Sequence, residues 1–164
     1  KMGHKVTQIS AGFKNGKNIE IIDGIKIIRL GRLWNVHILS FFYYLSNLRK
    51  ITDIIIDEVH WFPFFSIFYG KKKTVLLACE VANDLFFELF PYPIALVGRA
   101  TERVYLRLYK NVPTLAISSS TKKDLIKEGF VEKNITVLPM GLTGPKKIKS
   151  FPSFWISKIT LKKK

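Results

Sequence analysis

The sequence is short of three things. It has one cysteine, Cys79, 12 acidic residues against 27 basic ones, and no unbroken apolar run of spanning length. A lone cysteine excludes an internal disulfide, and it suits a reducing, cytoplasmic compartment. The longest apolar stretches, 61–69 and 85–98, are interrupted by Pro63, Glu88, Pro91 and Pro93. They fall short of the roughly 18 to 20 clean residues that a membrane-spanning helix needs. Lys1 to Gly12 also lacks the apolar core of a signal peptide. The deficit of acid leaves a net charge of +15. Nucleic acid, an anionic membrane surface and a phosphorylated substrate all fit such a charge. Helix-turn-helix, RNA-binding sheet and zinc-ligand signatures are missing, which argues against specific nucleic-acid recognition.

What is present is enough for one folded domain. The chain has 164 residues, 48% of them hydrophobic, so it can bury roughly two thirds of its unfolded surface. The most legible stretch runs from Thr114 to Thr143. Thr114–Ile117 is β-prone and apolar, and Ser118–Ser120 break that run. Thr121 with Asp124 then fits a capping box. Gly129 stands where a helix needs a left-handed stop, and Ile135–Leu138 form a second strand before Pro139 and Gly141. Strand, helix and strand at this spacing predict a βαβ unit, and so a parallel sheet with flanking helices.

Upstream, Ile19–Leu30 holds two β-rich runs around Asp23-Gly24, a pair that accepts positive φ and marks a tight hairpin. Val36–Leu48 is apolar around most of its circumference and predicts a helix packed on the sheet, with a membrane-surface role for Phe41, Phe42, Tyr43 and Tyr44 as the alternative. His37 reads as a helix-face residue. Asp53–Ile56 reads as a buried strand that delivers Asp57-Glu58-Val59-His60. A strand ending in D-E-x-H also occurs in ATP-hydrolysing helicases. Here the partner loop, Gly16-Lys17-Asn18, lacks the Ser/Thr hydroxyl and leads into a hairpin instead of a helix. Thr74–Ala78 predicts another strand, followed by Cys79-Glu80. Pro93–Tyr109 predicts a long helix with Ile94, Val97, Val104, Tyr105 and Leu108 along one face. Arg99, Arg103 and Arg107 make a basic stripe on another. That stripe and the turn Lys71-Lys72-Lys73 are candidate contacts for an anionic surface.

Taken in order, these motifs resemble the N-terminal, acceptor-side domain of family 4 glycosyltransferases, retaining enzymes of the GT-B fold. The resemblance rests on several segments: Gly3-His4-Lys5 before a strand, the Asp-Gly hairpin, Pro63-Phe64-Phe65, Glu102-Arg103 within a helix, and Leu138-Pro139-Met140-Gly141, where Met140 replaces the usual Asn. It implies a Rossmann-like half-domain over residues 1–144, lacking its first strand, Gly-rich loop and helix, and a basic tail or linker remnant over 145–164. It further implies sugar transfer from a nucleotide-sugar to a glycan or lipid-linked acceptor, without a metal or other cofactor. The donor would be bound only with a second domain or chain, and an oligomer is compatible with this.

By the same resemblance, Glu80 and His60 are the catalytic candidates, and Glu58, Cys79, Asn83 and Glu102 the acceptor-binding ones. Cys79 stands where family members carry a His that contacts the transferred sugar, and a thiol cannot act as a charged donor near neutral pH. A cytoplasmic location, with peripheral attachment at the inner face of the cell membrane as an option, goes with this reading. The alternatives are a non-catalytic module that binds acceptor or membrane, a nucleic-acid-binding protein, and an ATPase fragment of the D-E-x-H type. In the plain structural reading, Cys79 is a small core residue.

Overall fold

The computed structural model of the chain describes residues 3–60, 62–70 and 73–139. Lys71, Lys72, Met140, Gly141 and the 145–164 tail lie outside the described residues. The elements run β1 (Thr7–Ala11), β2 (Ile19–Ile22), β3 (Ile25–Leu30), α1 (Val36–Tyr43), β4 (Ile55–Val59), β5 (Thr74–Ala78), α2 (Leu85–Leu89), α3 (Tyr92–Tyr109), β6 (Thr114–Ala116), α4 (Ser119–Lys127) and β7 (Ile135–Val137). A π-helical turn, Tyr44–Leu48, prolongs α1.

The chain is an α/β protein. β4, β5, β6 and β7 lie side by side in that order, all parallel. A smaller sheet of order β1-β3-β2 pairs β1 parallel to β3 and β2 antiparallel to it. The hairpin between β2 and β3 turns on Asp23 at φ 52° and Gly24 at φ 83°. Both residues are left-handed, as a two-residue turn matched to strand twist requires.

The four-strand sheet packs on α3 and α4 through Val59, Leu76, Ala78, Tyr105, Leu106, Tyr109, Ala116, Leu125, Phe130 and Ile135. β5 is central, and its Thr74, Leu76 and Ala78 are buried in alternation, with Val75 and Leu77 only partly covered. α4 closes as expected at Gly129, whose φ is +93°. Gly129 N–H donates to Ile126 C=O and Phe130 N–H to Leu125 C=O, at 3.0 and 3.1 Å. That is a Schellman stop with its apolar pair, Leu125 and Phe130, both buried. The start of α4 differs from the sequence expectation. Ser118 is the cap, its Oγ accepting the Thr121 N–H at 3.0 Å. The helix therefore begins before Thr121, and Asp124 accepts from Lys127 instead of closing a capping box.

Two further expectations are corrected. The strand predicted at Asp53–Ile56 runs from Ile55 to Val59. It forms one edge of its sheet, so Ile54, Ile56 and Glu58 are exposed while Asp57 and Val59 are buried. In α3 the face read as apolar is divided, with only Tyr105 of its five members buried, and the basic stripe is broken at Arg99. Ile94, Val97, Val104 and Leu108 point outward, and the buried side comprises Ala95, Arg99, Glu102, Tyr105, Leu106 and Tyr109. The reason is polar: Tyr109, Glu102 and Arg99 all have partners in the interior that a rotated helix would lose.

Asp57 is the first of these partners. Its carboxylate is 2% exposed, and it accepts the Phe64 and Ser66 N–H groups at 2.8 Å each and the Tyr109 hydroxyl at 2.6 Å. The aromatic segment after β4 is thereby folded back onto the strand it leaves, with Phe65 held left-handed at φ 55°. Burial, followed by the Asp57 charge, pushes the Tyr109 phenol far above its ordinary value. α1 joins the same cluster from the other side. Its His37 ring lies 4.8 Å from Phe64, and Phe41 and Tyr44 pack against Tyr69 at 5.4 and 5.1 Å. Phe41 and Tyr44 are thus packing residues, while Phe42 faces out.

Asp57→Ala leaves two buried N–H groups and a phenol without their acceptor. The expected loss is about 3–5 kcal/mol in urea unfolding, against about 1–2 kcal/mol for Tyr109→Phe, which leaves the two backbone donors in place. A second test uses pH. Burial lowers the His37 pKa below its usual 6.5, partly offset by Asp57. The proton therefore binds the unfolded chain better. Stability should be complete above about pH 6.5 and decline as pH falls through that value. His37→Gln should flatten this part of the urea-midpoint profile.

Candidate functional site

Parallel strands end together, so residues just past their C-termini share one rim. β4 and β5 are in register with Glu58 opposite Leu77 and Val59 opposite Ala78, which sets His60 beside Cys79 and Glu80. The rim thus gathers Glu58, His60, Cys79 and Glu80, the residues singled out from the sequence. Cys79 Sγ lies 3.5 Å from Glu58 Oε1 and donates to it. His60 Nδ1 lies 3.9 Å from Glu80 Oε1, with the two side chains 69% and 41% exposed. A contact so open to water contributes little to stability. Its side chains remain available to an incoming group.

The Cys79 thiol is pushed up, first by partial burial, then by the Glu58 carboxylate and its hydrogen bond, and then by Glu80. It is therefore held neutral, a weak donor and not a thiolate nucleophile. The backbone of Cys79 is also tied to α4. Its carbonyl accepts the Thr121 hydroxyl at 3.5 Å, and Ser118 Oγ lies 2.9 Å from Thr121 Oγ1 and 2.8 Å from Ser120 Oγ. The first turn of α4 holds no acidic residue, so its dipole gives this end of the rim a positive character.

Glu102 and Arg99 take a different place from the one expected of them. Glu102 is 2% exposed. It accepts the Ala82 and Asn83 N–H groups at 2.8 and 2.9 Å and Arg99 Nη1 at 3.1 Å. Both oxygens are committed inside the protein, so Glu102 shapes the 80–84 loop and does not meet an acceptor. Asn83, bent left-handed at φ 47°, contributes its backbone to that clamp. Arg99 is buried and joins Glu102 to Glu128, which removes it from any surface stripe. Arg103 and Arg107 are exposed. Lys73 is also exposed, with its ammonium on the Thr52 carbonyl.

Asp57 opens the D-E-x-H run on which the ATPase alternative rests. It is sealed in the core by three donors, and the segment after the Gly16-Lys17 pair is a strand. The ATPase alternative thereby loses the one motif that favoured it. Parity along β4 was the available signal, since Asp57 and Val59 share one face of the strand. Among the described residues no three His, Cys, Asp or Glu side chains are grouped as metal ligands. A concavity of about 450 Å³ is lined by Leu45, Ser46, Asn47, Arg49 and Lys50 and includes none of the rim side chains.

Glu58→Gln removes the charge beside Cys79 and should lower the thiol pKa, so that iodoacetamide reacts faster at pH 8 while the far-UV spectrum is unchanged. An unaltered alkylation rate would show that the 3.5 Å contact does not set the reactivity of Cys79. In comparisons with known proteins, the chain matches no family model, no curated protein and no solved structure.

Proposed function

We infer that this chain is the acceptor-side domain of a two-lobed glycosyltransferase, working with a donor-binding domain or chain to move a sugar from a nucleotide-sugar to a glycan or lipid-linked acceptor. The observation that carries the reading is the rim itself. Glu58, His60, Cys79 and Glu80 stand together at the C-terminal edge of a parallel sheet. Sugar hydroxyls are recognised by carboxylates and imidazoles that accept and donate hydrogen bonds without a full desolvation cost, and the half-exposed Glu80 and His60 meet that requirement. The order of sequence motifs adds the resemblance to retaining transferases.

In this reading Glu80 and His60 orient the reacting hydroxyl, and Glu58 with Cys79 forms the floor against which the acceptor ring rests. Asn83 borders it. Charge that develops on the leaving diphosphate is met by the donor domain, and no metal is required from this half. The non-catalytic alternative, a module that only holds the acceptor, draws support from the neutral thiol at Cys79, which cannot supply the charged contact of an imidazole.

Two measurements decide between them. Titration of nucleotide-sugar into the isolated chain should give no heat, because the donor-binding half is elsewhere. Reconstituted with a donor domain, Glu80→Gln should fold normally and lower the transfer rate by about 10²-fold or more, the usual weight of a positioned acid or base. Unchanged turnover would remove Glu80 from the reaction, and no turnover in any pairing would leave the chain as a binding module.

A further inference from the structure

The side of α3 that the sheet leaves uncovered supports an inference independent of sugar transfer. Ile94, Val97, Thr101, Val104 and Leu108 recur at steps of three and four, which winds them into one stripe along this 18-residue helix. The apolar members Ile94, Val97, Val104 and Leu108 are 57, 66, 60 and 41% exposed. Thr101 gives its hydroxyl hydrogen to the Val97 carbonyl at 2.8 Å, so the stripe presents no hydroxyl donor in need of water. Arg103 and Arg107, one turn apart, are exposed on the adjacent flank, about 100° and 60° round the helix from Val104, and form no ion pair among the described residues. At the N-terminal end Tyr92 stands 69% exposed with Phe87 packed on its ring.

The chemistry of the flanks selects the occupant. Joining two copies through this stripe would set arginine beside arginine, because the one acid of α3, Glu102, is turned into the core. Nucleic acid would satisfy the arginines and leave the apolar stripe in water. An anionic lipid surface satisfies both, with a hydrocarbon boundary for the aliphatic side chains, phosphates for the guanidinium groups and an interfacial layer for Tyr92. Among the described residues no helix is long and apolar enough to cross a membrane, so the contact lies along the surface.

We propose that α3 rests in the head-group plane of an anionic membrane, with Ile94, Val97, Val104 and Leu108 at the acyl boundary and Arg103 and Arg107 on lipid phosphates. The partners of Arg99, Glu102 and Tyr109 stay in place, so docking needs no unfolding.

The test is flotation of the full chain with phosphatidylcholine vesicles, with and without phosphatidylglycerol, in rising salt. Binding is expected on the phosphatidylglycerol vesicles alone and should weaken with salt. V97Q/V104Q keeps the net charge and the helix, and should lower affinity by on the order of tenfold per residue. R103S/R107S should lower it by about 25-fold at low salt. Wild-type affinity in V97Q/V104Q would overturn the proposal, because binding would then come from general basicity. So would a wild-type dimer in sedimentation equilibrium that V97Q/V104Q dissolves, since the stripe would belong to a second copy. If the circular dichroism of V97Q/V104Q showed lost helix, R103S/R107S would decide alone, and unchanged binding there would overturn it. No step involves sugar or nucleotide, so the result stands apart from the fate of the transferase reading.

Discussion

Two carboxylates removed from water, Asp57 and Glu102, hold the loops that leave the parallel sheet at its C-terminal edge. Each accepts two backbone N–H groups and one side-chain donor. An ion in such a place is tolerated only when its oxygens are fully engaged, and breaking the set costs far more than forming it gains. The arrangement is therefore all-or-none. The loop after β4 folds back through Asp57, and the loop after β5 turns through Glu102. Between them His60 and Glu80 are carried to neighbouring positions. α3 supplies Tyr109 to one carboxylate and the other carboxylate itself, so a single helix sets both loops.

That commitment fixes which side of α3 faces inward. A helix placed by hydrophobicity alone would bury Ile94, Val97, Val104 and Leu108. This one buries Arg99, Glu102 and Tyr109, because their hydrogen bonds can be made only in the interior. Leaving a few half-exposed aliphatic residues in water costs less than stranding a buried carboxylate. The exposed stripe is thus a consequence of how the rim is held, and it gives the chain an apolar surface edged with positive charge.

The rim itself joins unlike groups. Partial burial and then Glu58 raise the Cys79 thiol and keep it neutral, while Glu80 and His60 remain open to solvent. A hydrogen-bonded backbone beneath solvent-exposed side chains is how many binding sites are built, with scaffold and recognition kept separate. Here the separation follows parity: along β4 the inward residues Asp57 and Val59 hold the fold, and the outward Glu58 faces the rim.

Local chemistry was enough for the elements whose cause is local. The Asp23-Gly24 turn, the Gly129 stop, the β5 strand and the βαβ order of the last third all follow from residues adjacent in sequence. So does the parallel α/β class, because a helix between closely spaced strands leaves few other connections. The cluster of Glu58, His60, Cys79 and Glu80 was also legible, since each lies at the end of a predicted strand. What the sequence could not settle was decided by contacts across the chain. Asp57 meets Tyr109 from 52 residues away, and Glu102 reaches back 19 and 20 residues to Asn83 and Ala82. Hydrophobic periodicity finds a stripe on α3 but not the side it faces, because a buried ion and its donors outweigh several aliphatic contacts, and only the tertiary structure brings those donors to it.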